Sequence, residues 1–328
     1  MNNRYVLGID TSNYKTSIAV IDEEYNVICD ERSFLKVKKG ERGLRQSDAF
    51  FQHVQKLPEL IEHIPVDLAD RLEGVFWSKR PRPVEGSYMP VFTAGESVGR
   101  ALSSVSGVLG AGFSHQEGHI EAIRHDVGID PHSEFLACHF SGGTTEILRV
   151  CPRIRNVVHN TGIFYDIDIA GGSKDIALGQ VIDRAGVALG LDFPAGEQMD
   201  KMALHVDIGT DYLTDIKAIS GFFNLSGIDT QIKRTIESGL PEDKEGAFAR
   251  EIMMKISSAV CSAIVQSASI TGLNTILMAG GVSSSRFMRN YITRSDKLSG
   301  LTICFGKDHL SQDNAVGTAV LGGRYLWD

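Results

Sequence analysis

One pattern occurs twice in this chain, and the repeat limits the fold more than any other feature. Tyr5-Val6-Leu7-Gly8-Ile9 reads as a short apolar strand, residues 10–15 as a polar turn and residues 16–21 as a returning strand. Residues 135–140, the turn Ser141-Gly142-Gly143-Thr144-Thr145 and residues 146–150 do the same. Such hairpins need a second layer to bury a face, and apolar residues at helical spacing predict helices over 47–64, 93–105, 175–189 and 247–270. Further strands are expected at 75–77 and 275–279. The alternation implies an α/β chain of two similarly built halves, residues 1–134 and 135–313, with a C-terminal helix over 314–328 packing back on the first. At 328 residues, 42% hydrophobic and 23% charged, the chain can bury two cores.

The turns carry the chemistry. A tip rich in Gly, Ser and Thr can aim successive backbone N–H groups at one anion, because glycine permits close approach and positive φ. Asp10-Thr11-Ser12-Asn13 and Ser141-Gly142-Gly143-Thr144 are therefore expected to clamp phosphates, and Ala279-Gly280-Gly281-Val282-Ser283, at a strand end before a helix, to lie against an adenosine. Each alone reads as an ordinary turn. In the order hairpin, hairpin, strand-Gly-Gly-helix they fit the two-domain actin, heat-shock-ATPase and sugar-kinase (ASKHA) architecture, with a nucleotide cleft between duplicated halves.

His115 and His119 stand one helical turn apart in Ser114-His115-Gln116-Glu117-Gly118-His119, so both can face one metal ion; the plainer reading is a helix start capped by Ser114 with two solvated histidines. The pattern is not HExxH: the position after the first His is Gln116, which disfavours a zincin-type protease. Asp313, before an expected helix, is the best third ligand, with helix capping as its ordinary alternative.

Charge and cysteines narrow the setting. With 33 Lys and Arg against 41 Asp and Glu, the formal charge of −8 excludes a wholesale grip on nucleic acid, so any RNA contact must be local. Two basic loops are candidates: 32–45, with Arg32, Lys36, Lys38, Lys39, Arg42 and Arg45, and 79–82, with Lys79, Arg80 and Arg82. The five scattered cysteines form no CxxC pair, which points to reduced thiols in a cytoplasmic protein, and no apolar run looks long enough to span a membrane.

Taken in order, seven motifs resemble the TsaD family, also called the glycoprotease or O-sialoglycoprotein endopeptidase family, whose members are tRNA threonylcarbamoyladenosine synthases. They are His115-Gln116-Glu117-Gly118-His119, Phe140-Ser141-Gly142-Gly143-Thr144, Asp183 in Val181-Ile182-Asp183-Arg184, Leu191-Asp192-Phe193-Pro194-Ala195-Gly196, Asn224-Leu225-Ser226-Gly227-Ile228, Ala279-Gly280-Gly281-Val282-Ser283 and Asp313-Asn314. The resemblance implies an ASKHA fold, iron or zinc on His115, His119 and Asp313, and a cleft for ATP or an acyl-adenylate. It further implies nucleotide contacts from His139, Phe140, Ser141, Gly142 and Gly143, from Asp183 on the ribose, from Gly196, Gly280 and Gly281, and from Ser285 near the base. A TsaB-like or self-related subunit is the implied protein partner.

The chain departs from the family in places. An acidic pair that follows the family's first Thr-Ser is here Tyr14-Lys15; the glycine-rich loop before the 93–105 helix is the basic, proline-bearing 78–86; Gly-Glu before Asp183 is Gly179-Gln180; and an Asn is Ser285. Ser12 and Lys15 are then the residues expected to join the chemistry, Lys15 meeting a phosphate as a point charge. The leading expectation is a metal-dependent threonylcarbamoyl or carbamoyl transfer to N6 of adenosine in tRNA. The alternatives are a catalytically weakened paralogue acting as a nucleotide-gated partner, and an ATPase or kinase of the same fold.

Overall fold

The computed structural model describes residues 4–12, 14–37, 44–241 and 243–328, so Asn13 of the first turn and Lys38, Lys39 and Arg42 of the first basic loop lie outside it. In chain order the first elements are β1 (Tyr5–Thr11), β2 (Lys15–Asp22), β3 (Val27–Phe34), α1 (Gln46–Ile61), α2 (Val66–Ala69), β4 (Leu72–Arg80), α3 (Phe92–Ser106), β5 (Leu109–Ser114) and α4 (His115–Asp126). Next come β6 (Phe135–Phe140), β7 (Thr145–Pro152), α5 (Arg155–Thr161), β8 (Tyr165–Ser173), α6 (Leu178–Ala188), α7 (Gly196–Leu204), β9 (Phe222–Phe223), α8 (Ser226–Glu237) and α9 (Glu245–Thr271). The last are β10 (Thr275–Ala279), α10 (Arg286–Thr293), β11 (Thr302–Phe305), α11 (Asp308–Ser311) and α12 (Val316–Trp327).

The chain forms two compact units, and neither is continuous in sequence: unit 1 holds residues 1–133, 151–166 and 306–328, and unit 2 holds 134–150 and 167–305. Residues 151–166 and 306–313, expected in the second half, therefore pack in the first. Buried hydrogen bonds hold them there, since Phe164 and Tyr165 donate their backbone N–H groups to the Glu117 carboxylate at 2.7 and 3.3 Å.

Unit 1 is built on a five-stranded sheet ordered β3-β2-β1-β4-β5, with β1 antiparallel to β2 and parallel to β4. Both faces of β1 are covered, which is why it reads as an unbroken apolar run. Alternation sends Leu7 and Ile9 into a core with Leu57 of α1 and Ala94 of α3. Gly8 faces the other way, onto α12, where a Cβ would stand 2.6 Å from the Ala319 nitrogen. Asp10 shares that parity. On the same side α12 crosses α4 so closely that a Cβ on Gly317 would lie 1.8 Å from the Gly118 carbonyl oxygen. Bare glycine backbone thus brings the helix that carries His115 and His119 against the one that follows Asp313.

Unit 2 has a six-stranded sheet ordered β11-β10-β6-β7-β8-β9, in which β6 pairs antiparallel with β7 and parallel with β10. Its core is organised by the 27-residue α9, whose Ile252, Ile256, Val260 and Ile264 are fully buried. By length and mean hydropathy α9 is able to cross a membrane, contrary to the sequence reading, but 61% of its most apolar window is buried inside the protein. An apolar surface all round a helix is what a core position requires as well.

A candidate metal centre and a candidate nucleotide site

Ser114 ends β5 and caps α4: its side chain accepts from the Glu117 N–H at 3.2 Å, while Glu117 accepts from the Ser114 N–H at 3.2 Å. This capping box sets the phase of the helix, so His115 and His119 fall on one face with ring centroids 4.4 Å apart. Neither is solvated. Both rings turn to Asp313, whose Oδ1 lies 3.1 Å from His119 Nε2 and 3.6 Å from His115 Nε2. Asp313 does not start a helix as expected. It stands in the turn between α11 and α12, and Asn314 caps instead, accepting from the Val316 and Gly317 N–H groups at 3.0 and 3.4 Å. That division of labour leaves Asp313 for the histidines.

Asp10, expected in a phosphate clamp, is fully buried and accepts from His115 Nδ1 at 2.8 Å and from the Ser78 hydroxyl. A carboxylate on one ring nitrogen fixes the tautomer and aims the lone pair of the other, the usual outer support of a metal-binding histidine. Burial alone would lower the His115 pKa, but Asp10 and Asp313 more than offset this and raise it to about 10. Burial works against the Asp313 carboxylate too, yet His115 and His119 hold it well below the usual carboxylate range. The three ligand atoms lie within 4.8 Å of one another. Bonds of ~2.1 Å in a tetrahedral site put donors ~3.4 Å apart, so this nitrogen and oxygen set fits a borderline ion such as zinc or iron(II).

Lys15 is neither an exposed turn lysine nor a free phosphate ligand. It opens β2 only 5% exposed, donates to Gln312 Oε1 at 2.5 Å and lies 4.5 Å from the Phe34 ring centroid. Burial lowers its pKa and Asp313 opposes the shift, so its charge acts within the field of the triad. Ser12 is buried and its hydroxyl has no hydrogen-bond partner among the described residues. His53 went unnoticed in sequence. It is buried on α1, its Nδ1 is 2.8 Å from Thr16 Oγ1, and burial lowers its pKa against the pull of Asp10 and Asp313. Its one signal was a histidine on the apolar stripe of α1.

The remaining candidates gather in unit 2, with altered roles. The Ser141 hydroxyl accepts from the Gly143 and Thr144 N–H groups at 3.3 and 3.0 Å, so those donors close their own turn rather than point outward. Beta-carbons at Gly142 and Gly143 would meet open space. Phe140 is a core residue with no exposed side chain, while His139, paired with Ala279 of β10, is 9% exposed. Gly280 requires glycine twice over: its φ is +86°, and a Cβ would stand 2.3 Å from the Phe140 carbonyl oxygen. Gly281 beside it is open. Asp183 spends Oδ1 on the Ala195 and Gly196 N–H groups at 2.8 and 3.1 Å, joining α6 to the start of α7, and leaves Oδ2 without a hydrogen bond among the described residues. Burial raises its pKa against those two donors. Ser285 caps α10, accepting from the Met288 N–H at 3.0 Å and donating to Asp200, so its hydroxyl is already committed.

Neither basic stretch is simply a loop. Arg32 lies on β3 and forks onto Asp30, with Nε to Oδ1 at 2.8 Å and Nη2 to Oδ2 at 2.5 Å. Lys79 and Arg80 belong to β4, and only Arg82 is in the turn beyond.

Known proteins similar to this chain bear on the arrangement. The threonylcarbamoyltransferase of Neorickettsia sennetsu, named for tRNA N6-adenosine, is 27% identical over 320 residues, covering 96% of this chain and 92% of its own. HypF of T. kodakarensis superposes with a TM-score of 0.59 at 13% identity, over 99% of this chain and 48% of its own. The activator of the 2-hydroxyisocaproyl-CoA dehydratase from Clostridium difficile, solved with bound ADPNP, gives 0.53 at 11%, over 98% and 94%. The two solved structures show the fold, which is of the ASKHA type. The sequence profile of TsaD, tRNA N6-adenosine threonylcarbamoyltransferase, matches residues 47–320, and the chain belongs to that family.

Proposed function

We propose that this chain transfers a threonylcarbamoyl group from an acyl-adenylate to N6 of adenosine in tRNA. The observation that carries the reading is the convergence of His115, His119 and Asp313 with Asp10 bracing His115 from behind. The adenosine N6 amine forms a bond to the carbamoyl carbon, the bond from that carbon to the phosphate oxygen breaks, AMP leaves with the electron pair, and the N6 proton passes to solvent. A divalent ion, iron or zinc, held by the triad would polarise oxygen atoms of the acyl-adenylate as a Lewis acid. Lys15 supplies a buried positive charge beside the triad that balances charge gathering on the departing phosphate. Ser12 offers a hydroxyl donor with no competing partner among the described residues. In unit 2, Asp183 Oδ2 accepts from a ribose hydroxyl, and the open backbone at Gly142, Gly143 and Gly281 admits the nucleotide. The nucleotide reading also agrees with ADPNP bound to the dehydratase activator. Phosphates of the tRNA are assigned to stretch 32–45 and to Arg82, and a TsaB-like or self-related subunit to the exposed Phe51 and Val54 of α1.

The test is reconstitution with iron or zinc, tRNA and threonylcarbamoyl-adenylate, followed by nucleoside analysis. Modified adenosine should form, and His119→Ala and Asp313→Ala should lose both bound metal and product. No product from the metal-loaded wild type, or undiminished product in either variant, would overturn the assignment.

A further inference from the structure

Unit 1 contains a second concave site, apart from the triad, at the free edge of β5. It encloses about 370 Å³ between Trp77 and Lys79 of β4, Gly110 and Gly112 of β5, Arg100 of α3 and Gly162. That volume suits a small ligand. Three features at this site have no structural explanation of their own.

The first is Trp77, 6% exposed, whose indole N–H has no hydrogen-bond partner among the described residues. Indole can only donate, and a buried donor left unmade costs ~1–3 kcal/mol. The second is Lys79, the extra residue where the register of β4 against β5 shifts between Ser78 and Arg80. Bulges re-aim side chains. This one turns a lysine from the strand toward Gly162, where a Cβ would stand 3.7 Å from its ammonium nitrogen. The ammonium makes no hydrogen bond or ion pair among the described residues. Burial lowers its pKa, Arg80 lowers it further, and Glu96 and Glu117 only oppose these effects from a distance. The third is Gly112. A Cβ there would stand 2.7 Å from Trp77 Nε1 and 2.8 Å from Lys79 Cδ, so any other residue would crowd the indole nitrogen and the lysine stem.

We propose that this pocket binds a small anion, a carboxylate or phosphate group on a small molecule, which accepts hydrogen bonds from Trp77 Nε1 and Lys79 Nζ. Arg100, paired with Glu96 at 3.5 Å, stands at the rim. Lys79 and Arg100 against Glu96 leave one net positive charge, which matches a single anionic group. The lysine's flexible stem lets the ammonium close over the ligand once an oxygen is seated on the indole N–H. The inference is independent of the transfer reaction, because none of these residues belongs to the triad or to the nucleotide-binding turns.

The chain has two tryptophans, Trp77 and Trp327, so Trp327→Phe leaves Trp77 as the only reporter. Inorganic phosphate and acetate, titrated at constant ionic strength set with sodium chloride, should each change Trp77 emission saturably. Lys79→Met, which keeps the stem and removes the charge, should weaken that binding at least tenfold. In the wild-type chain, phosphate should move one of the two indole N–H resonances, the one that Trp77→Phe removes. A mixed-sequence RNA oligonucleotide should leave that resonance in place. No saturable change, an equal response in Lys79→Met, movement of the other indole resonance, or a response to the oligonucleotide matching that to phosphate would each overturn the proposal.

Discussion

Replacing Glu121 by glutamine should cost unit 1 ~3–5 kcal/mol, the scale for breaking a buried ion pair by removing one partner. Glu121 lies on α4 with no exposed surface and gathers three elements onto one carboxylate. Arg124 binds it bidentately, Nε at 2.9 Å and Nη2 at 2.8 Å; Arg324 of α12 reaches both oxygens at 3.1 and 3.2 Å; and the Tyr165 hydroxyl donates to it. Glutamine keeps the shape but removes the carboxylate that two buried guanidiniums share, leaving Arg324 only its 3.7 Å pair with the half-exposed Asp328. Burial alone would raise the Glu121 pKa, yet Arg324 and Arg124 bring it from 4.5 down to about 2. At ~1.4 kcal/mol per pKa unit such a shift is worth roughly 3 kcal/mol, in line with the first figure. Its sign follows from linkage. The folded pKa lies below the unfolded one, so this stability is present above about pH 4.5 and is lost as the pH falls through about 2. Both tryptophans are in unit 1, so urea unfolding followed by tryptophan emission reports on this unit. Glu121→Gln should lower the midpoint at neutral pH and flatten the loss of stability on acidification. Adding Arg324→Met should cost less than the sum of the single changes, because the two share one network. A loss below ~1 kcal/mol at neutral pH would refute the reasoning.

Other consequences are simpler to read. Asp10→Asn should weaken metal binding ~10–100-fold in a chelator competition, as loss of a histidine's outer carboxylate does, and unchanged affinity would contradict its bracing role. With the His115 pKa raised to about 10, metal uptake displaces a proton, so apparent affinity should climb roughly tenfold per pH unit between about pH 7 and 9; a flat profile refutes this. Gly317→Ala should push α12 off α4 and lower the melting temperature sharply, since its Cβ would meet the Gly118 carbonyl oxygen at 1.8 Å. Ser285→Ala should cost ~1 kcal/mol of stability as a lost helix cap while leaving nucleotide affinity intact; the reverse outcome would return Ser285 to the nucleotide site.

What could be read in the sequence was what local spacing encodes. Short apolar runs marked β1, β2, β6 and β7, helical periodicity marked α1, α3 and α9, and the one-turn spacing of His115 and His119 put both on a single face. Short or edge strands such as β5, β9 and β11 escaped notice, because little of their surface is buried by their own alternation. Lys79 and Arg80 read as loop residues because they are polar, yet both extend β4.

The sequence by itself determined the alternating α/β order, the pairing of two hairpins and the chemistry available to the site, since these depend on neighbours a few residues apart. Only the tertiary structure decided which carboxylate does what. Asp10 and Asp313 look alike as acidic residues in polar turns. The parity of β1 and the contact of α12 with α4 set one behind His115 and bring the other to the facing side of both histidines, with Asn314 taking over the cap. Likewise Ser285 and Asp200, Asp183 and Gly196, and Lys15 and Gln312 meet only because the chain returns on itself. Long-range closure is set by the packing of whole faces, and local periodicity carries no record of which faces meet.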